Sequence, residues 1–217
     1  MKPYHKINSV FKRDTRGRFT DEFATPEIEY LANAEWIGEE KIDGTNVRIG
    51  WSSIDGVAFG GRSDNATIFE QWPDLLELIM SKFTPDALAE TLKDAEGADV
   101  TLYGEGFGQG IQKGGGNYGT EKYFVLFDVL VGDWWLLPDA VDDIAKSFGV
   151  DRPAPIGRST LIEFIERVKT SQIDSVYGNF PAEGIVLRPA VPMFTRRCDR
   201  IIAKLKTKDF EKQEAAS

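Results

Sequence analysis

The 217-residue chain has one cysteine, Cys198, and one histidine, His5. A lone cysteine closes no internal disulfide, and a lone histidine leaves neither a Ser-His-Asp triad nor a histidine-based metal cluster to assemble. No apolar run approaches the ~18 residues of a membrane span. The start, Met1-Lys2-Pro3-Tyr4-His5-Lys6, has no apolar core of a secretory signal. The expected setting is therefore cytoplasmic. Internal repeats, low-complexity tracts and long linkers are also missing, and the Gly-rich stretch 104–119 lacks the Gly-Lys-Ser/Thr ending of a P-loop. With 41% hydrophobic and 28% charged residues, what remains is ordinary for a globular chain that buries a core as one domain or a domain with a small lobe.

Positive charge is scarce overall, the net charge being -9, which by itself argues against a nucleic-acid partner. Its distribution reverses that inference. Residues 1–18 carry six Lys/Arg against Asp14 alone, and residues 188–212 carry eight against Asp199, Asp209 and Glu211. Both ends are basic and the middle is acidic. Solvated surface charge explains such runs equally well when they are taken alone.

The most informative stretch is Glu39-Glu40-Lys41-Ile42-Asp43-Gly44-Thr45-Asn46. Ala34, Trp36 and Ile37 precede it, and Val47, Ile49 and Trp51 alternate with Arg48 and Gly50 after it, so Lys41 is expected between two strands with Asp43-Gly44 as the turn. An amine flanked by packed strands and cations is a candidate nucleophile, whereas the same residues on a free hairpin do only turn chemistry.

Further along, Thr25-Pro26 starts a short helix to Asn33, and residues 57–62 make a third strand. Leu75, Leu76, Ile79, Met80, Phe83, Leu88 and Leu92 predict two helices over 70–93. Val100–Gly108 reads as a strand entering the Gly-rich loop, with Glu105 placed to meet ribose hydroxyls. Tyr123–Val131 reads as a core strand broken by Asp128, from which Phe127 can turn outward to stack on a base. Helical spacing returns over 139–150 and 159–170, separated by a Pro-rich turn, with Ser159 and Glu163 one residue off capping-box spacing. Glu183 stands at the mouth of a buried strand that ends in Arg188. Lys204, Lys206 and Lys208 share one face of an alternating strand, an arrangement that suits either a polyphosphate or a solvent-facing edge.

Lys41-Ile42-Asp43-Gly44, Tyr103-Gly104-Glu105, Phe124–Asp128, Glu183–Arg188 and Lys204-Leu205-Lys206 occur in the order and approximate spacing of five motifs. The set resembles that of the covalent nucleotidyltransferases, which include ATP-dependent DNA ligases, RNA ligases and capping enzymes. Asn46, five residues after the lysine, is similar to RNA ligases, since DNA ligases and capping enzymes usually carry arginine there. The loop Gly104–Lys113 with Asn117-Tyr118-Gly119 is similar to the RNA ligases that seal nicked duplex RNA, although Asp43 departs from the histidine common in that branch.

The resemblance implies an α+β fold, a nucleotidyltransferase (ATP-grasp-like) core of two antiparallel-rich β-sheets flanked by helices with the nucleotide groove between them. It implies one adenylyltransferase domain over 1–217, with no second domain after the Lys-x-Lys strand. The implied activity is an ATP-dependent RNA ligase. Lys41 takes AMP from ATP, passes it to an RNA 5′-phosphate, and a 3′-hydroxyl displaces it. Lys204 and Lys206 would hold the α-phosphate, Glu183 a Mg²⁺ or Mn²⁺ ion, Glu105 the ribose and Phe127 the adenine. Glu40, Ile42, Asn46 and Arg62 complete the nucleotide contacts, and Arg188 would meet a substrate phosphate. RNA ends, in a nicked duplex, are the implied partner, with a separate protein supplying the missing domain. The alternatives are a DNA ligase, a capping-type guanylyltransferase, or a non-catalytic binding module that kept the fold.

Overall fold

The computed structural model describes residues 1–95, 97–170 and 173–210. Glu211 and Lys212, part of the basic C-terminal stretch, lie outside the described residues. The fold is α+β and divides into two compact units. One comprises Met1–His5 and Asp43–Pro153, the other Lys6–Ile42 and the residues from Ala154 onward. The chain crosses between them right after Ile42, so Lys41 belongs to one unit and the Asp43-Gly44 turn to the other.

The unit carrying Lys41 contains β1 (Asn8–Ser9), β2 (Phe11–Arg13), β3 (Phe19–Phe23), α1 (Pro26–Tyr30) and β4 (Glu35–Lys41). After the excursion through the other unit come β10 (Pro155–Thr160), α6 (Leu161–Thr170), β11 (Gly184–Pro189) and β12 (Ala203–Lys206). Its five-stranded sheet has the order β1-β12-β11-β4-β10, antiparallel except for β1 with β12, and β2 pairs β3 separately. The Thr25 side chain accepts from Ile28 N and caps α1 as expected. β10 was not expected, because Pro153 and Pro155 read as a turn. As an edge strand with proline at its first position, β10 loses little by lacking that donor. The cap of α6 also sits one residue later than the sequence suggests. Thr160 Oγ1 accepts from Glu163 N at 3.2 Å and the Glu163 carboxylate accepts from Thr160 N at 3.0 Å, a reciprocal box that Ser159 joins through its own hydroxyl.

The other unit contains β5 (Thr45–Ser52), β6 (Gly56–Gly60), α2 (Ile68–Gln71), α3 (Pro73–Lys82), α4 (Pro85–Thr91), β7 (Val100–Gly108), β8 (Lys122–Val131), β9 (Trp134–Trp135) and α5 (Pro138–Phe148). Its sheet is antiparallel throughout, in the order β6-β5-β7-β8-β9. The helical stretch 70–93 splits in three rather than two. Trp72 precedes Pro73 and is driven to extended dihedrals (φ -133°, ψ 74°), which breaks the first turn away as α2.

Each unit has its own core. Leu75 and Ile79 of α3, Leu88 of α4 and Val141 of α5 pack on the β5, β7 and β8 residues Val47, Ile49, Leu102 and Leu126. Leu161, Phe164, Ile165 and Val168 of α6 pack on Trp36, Ile185, Leu187, Ala203 and Leu205. Each helix therefore buries one stripe on one sheet face. In the second case, that leaves the opposite sheet face for polar side chains.

Candidate active site

Strand alternation sorts the β4–β11–β12 residues into two faces. Gly184 lies opposite both Lys41 and Lys206, Val186 lies opposite both Glu39 and Lys204, and Arg188 lies opposite Ile37. These residues share the face away from α6. Trp36, Gly38, Glu40, Ile185, Leu187, Ala203 and Leu205 share the other, and a Cβ on Gly38 would come within 2.9 Å of the Phe164 ring on α6. Two strands from opposite ends of the sequence, β4 and β12, paired through β11, thus place three lysines on one face.

The cluster closes on Glu183, the residue just before β11. Lys41 Nζ donates to Glu183 Oε2 at 2.5 Å, and Lys206 Nζ donates to Glu183 Oε1 at 2.5 Å. All three side chains are at most about a fifth exposed. Gly184 makes the convergence possible. A Cβ there would lie 1.9 Å from Leu205 O and 2.8 Å from Lys206 Cα, and no side chain at 184 comes between the two ammonium groups. Burial pushes the Glu183 carboxyl up, but the Lys41 and Lys206 ammonium groups together outweigh it and hold it below the usual glutamate range.

Beside this cluster, Arg188 reaches Glu39 at 3.5 Å. A cavity of about 550 Å³ opens along Lys204 and Lys206, with Lys6, Arg13, Lys208 and Asp209 also in its walls. Arg13 pairs with Asp209 at 2.6 Å. Lys208 lines the cavity although β12 ends at Lys206, so it is not part of the strand face on which the sequence put it.

Glu40 is turned the other way. It is 1% exposed on the α6 side of β4, where its carboxylate accepts from Ser175 Oγ at 2.6 Å and from Val176 N at 3.0 Å. Both oxygens of this predicted nucleotide contact are engaged in holding the 175–176 segment. Ile42 is buried at the end of β4's run.

The remaining predicted residues belong to the other unit. Asn46 and Glu105 lie directly opposite one another on β5 and β7. Asn46 Oδ1 is buried with no hydrogen-bond partner among the described residues, an unusual state for a buried acceptor. Phe127 occupies a β-bulge. Asp128 pairs Tyr103 and Leu126 pairs Gly104, so Phe127 is the extra residue, half-buried, with the Tyr4 ring edge-on to it at 5.0 Å. A bulge re-aims the residue it inserts, which is how an aromatic leaves an otherwise continuous core strand. Asp128 itself is 2% exposed and accepts a hydrogen bond from Tyr4. Arg62 is exposed, just beyond β6.

The sequence did not reveal what holds the turn after Lys41. Tyr118 Oη accepts from Asp43 N at 3.0 Å, Gln112 Nε2 donates to Gly44 O at 3.0 Å, and a Cβ at Gly44 would lie 2.3 Å from Gly106 O. The Gly-rich stretch is a brace for that turn. Its only sequence signal was the cluster of glycines.

The sequence pattern of the RNA ligase family matches residues 34–206, from just before β4 to the last residue of β12. Among solved structures the fold is similar to that of a Naegleria gruberi RNA ligase with PPi, at a TM-score of 0.61 and 18% identity, over 100% of this chain and 65% of that one. A lysine-to-alanine variant of a Naegleria gruberi RNA ligase with ATP and Mn gives 0.61 and 18% over 99% and 64%. The apo form of a Naegleria gruberi RNA ligase R4a variant gives 0.60 and 18% over 88% and 55%. The chain thus spans less than two thirds of the length of these solved proteins, and at this identity the likeness is one of fold.

Proposed function

Because the chain belongs to the RNA ligase family, we propose that it is an ATP-dependent RNA ligase core in which Lys41 is the adenylate acceptor. The observation that carries the reading is the convergence of Lys41 at the end of β4 and Lys206 at the end of β12 on one carboxylate, Glu183, just before β11. A binding module has no need of a lysine held end-on to an acid inside a lysine-rich face.

In the first step Lys41 Nζ leaves Glu183, gives up a proton to solvent and directs the lone pair so exposed at the α-phosphorus of ATP, the nitrogen shedding a second proton to solvent as the N–P bond forms. The bond from that phosphorus to the bridging oxygen breaks, and the electrons depart with pyrophosphate. The product is an AMP phosphoramide on Lys41. Lys206 and Lys204 hold the α-phosphate and spread the charge of its transition state, and the basic cavity beside them suits the outgoing phosphates. AMP then passes from Lys41 to an RNA 5′-phosphate, and a 3′-hydroxyl displaces it to make the phosphodiester.

A divalent ion, Mg²⁺ or Mn²⁺, fits Glu183 in one specific way. Among the described residues no group of three or more His, Cys, Asp or Glu stands ready to cage a metal. Such ions are commonly held by one or two carboxylates with phosphate and water oxygens completing the shell, which a single glutamate beside a phosphate site permits. Bound there, the ion neutralises phosphate charge.

For the other unit we assign Phe127 to stack on adenine, Glu105 to the ribose, and Asn46, with its unmatched acceptor, to a donor carried by ligand or water. Arg62 and Arg188 would meet substrate phosphates, and Ile42 would line the nucleotide. Glu40 serves the reading by anchoring residues 175–176 rather than by touching the base. We treat residues 1–217 as one adenylyltransferase domain, take a nicked RNA duplex as the substrate, and expect a partner protein to assist its capture. A reducing, cytoplasmic setting suits the single exposed thiol of Cys198.

The test is to incubate the protein, first stripped of bound AMP with pyrophosphate, with α-labelled ATP or GTP and magnesium, and then denature it. Label from ATP that stays on the polypeptide and vanishes in Lys41→Ala supports the reading. Label from GTP alone would make it a guanylyltransferase, and none from either would leave a binding module. RNA and DNA nicks and single-stranded ends, compared in the same buffer, then identify the substrate.

A further inference from the structure

Between β11 and β12 the chain makes an excursion, 190–202, that no step above uses. Val191, Met193 and Phe194 are exposed there at 66%, 37% and 54%, beside the exposed Arg196 and Arg197. Neither arginine has an ion-pair partner among the described residues, and Phe194 makes no ring contact among them.

The segment is nevertheless held by its own hydrogen bonds. Thr195 N donates to Asp199 O at 2.8 Å, Cys198 N to Thr195 O at 3.0 Å, and Ile201 N to Met193 O at 2.9 Å, while Phe194 bridges Arg200. Thr195 Oγ1 also accepts from Arg197 N at 3.2 Å and from Asp199 N at 3.3 Å. Ala190 N ties the base of the excursion to Glu35 O at 2.9 Å. It is a hydrogen-bonded hairpin tip that presents an aromatic ring and two guanidinium groups to solvent. Large apolar side chains are costly to leave in water unless something covers them.

We propose that this tip is an RNA grip, in which Phe194 stacks on a base and Arg196 and Arg197 hold neighbouring phosphates. Charge decides among possible occupants. Arg196, Arg197 and Arg200 against Asp199 make a locally cationic site on a chain of net charge -9, and an aromatic ring among arginines is the combination that suits a nucleic-acid strand. The proposal deepens the ligase reading and rests on it for the choice of RNA as the nucleic acid. Geometry adds a length requirement. β11 runs six residues from Gly184, beside Lys41 and Lys206, to Pro189 at the base of the tip, which at about 3.3 Å per residue is ~17–20 Å. At about 3.4 Å per nucleotide the base of the grip lies roughly five nucleotides from Gly184. It senses strand length, not the joint.

The experiment compares wild type, Phe194→Ala, Phe194→Trp and the double variant Arg196→Ala/Arg197→Ala. Each is assayed for lysyl-AMP formation from labelled ATP, and for equilibrium binding of RNA strands shorter and longer than that span across a salt series. All four should form lysyl-AMP alike. Phe194→Ala should bind long RNA about tenfold more weakly, Phe194→Trp should retain affinity, and the arginine pair should flatten the salt slope by about one to two units. Short strands should show no difference. Unchanged affinity for long RNA would overturn the proposal and return Met193 and Phe194 to a protein-facing role. Equal loss on short strands would overturn it too, by placing the effect in the fold or at the joint. If wild type forms no lysyl-AMP while the variants still lose long RNA, the grip stands and the ligase reading falls.

Discussion

Lys41 Nζ lies 2.5 Å from Glu183 Oε2 although 142 residues separate the two in sequence. Lys206 takes the other oxygen, so one carboxylate separates two ammonium groups. Glu183→Gln keeps the size and cancels the charge, leaving the two cations facing each other with only an amide between. We expect it to abolish lysyl-AMP formation and to cost about 1–3 kcal/mol of stability at neutral pH, measured by denaturant unfolding. The pH dependence follows from the lowered Glu183 value. A carboxyl held below its unfolded range contributes stability that is fully present above that range, about pH 4 to 5, and is lost as pH falls through the folded value. The difference between wild type and Glu183→Gln should therefore shrink on acidification. A difference that grew would contradict the pairing.

Gly184 is the hinge of that geometry. Because a Cβ would meet Leu205 O at 1.9 Å, Gly184→Ala has to push β12 away from β11, and β12 carries Lys204 and Lys206. The expected result is a loss of roughly 1–3 kcal/mol, together with a fall in lysyl-AMP formation that persists at temperatures where the variant is still folded. Unchanged labelling in a stably folded Gly184→Ala would show that the lysines need not converge.

The motif residues were legible because strand alternation and chemistry agree: a period of two puts Lys204 and Lys206 on one face of β12, although only the β4–β11–β12 register brings Lys41 to it. The same alternation turns Glu40 away from Lys41, but sequence alone could not show that Ser175 and Val176 wait for it on the other side. β10 escaped notice because prolines mask an edge strand, and the α6 cap was displaced by one residue because Ser159 and Thr160 are chemically alike. Tyr118 and Gln112 brace backbone atoms of Asp43 and Gly44 about 70 residues away, and backbone atoms carry no sequence signature.

Phe127 owes its position to the bulge between Leu126 and Asp128, not to core packing. Phe127→Ala should therefore leave the unfolding midpoint nearly unchanged while weakening ATP binding by about 1–3 kcal/mol. It should act through KM for ATP in the labelling reaction, with little change once ATP is saturating. A large drop in stability with an unchanged KM would reassign the ring to the core.

Arg48 reads from the sequence as an ordinary polar residue on a half-buried strand, yet it is 0% exposed. Its guanidinium donates to Gly61 O at 2.6 Å, Met1 O at 2.9 Å and Asp64 Oδ1 at 2.9 Å. The carbonyl of Gly61 is the last before Arg62, so a buried arginine fixes the start of the segment that presents a proposed substrate contact. Arg48→Met fills similar volume but orphans two carbonyls, and should cost about 2–4 kcal/mol. Asp64→Ala should cost under ~1 kcal/mol, because that carboxylate is 76% exposed and its pairing is screened by water. Thermal unfolding of the two variants separates the contributions. If Asp64→Ala proves the more damaging, the ion pair rather than the carbonyl anchors holds Arg48 in place. If Arg48→Met unfolds early but seals RNA normally below its midpoint, the Gly61 anchor supports the fold and not the presentation of Arg62.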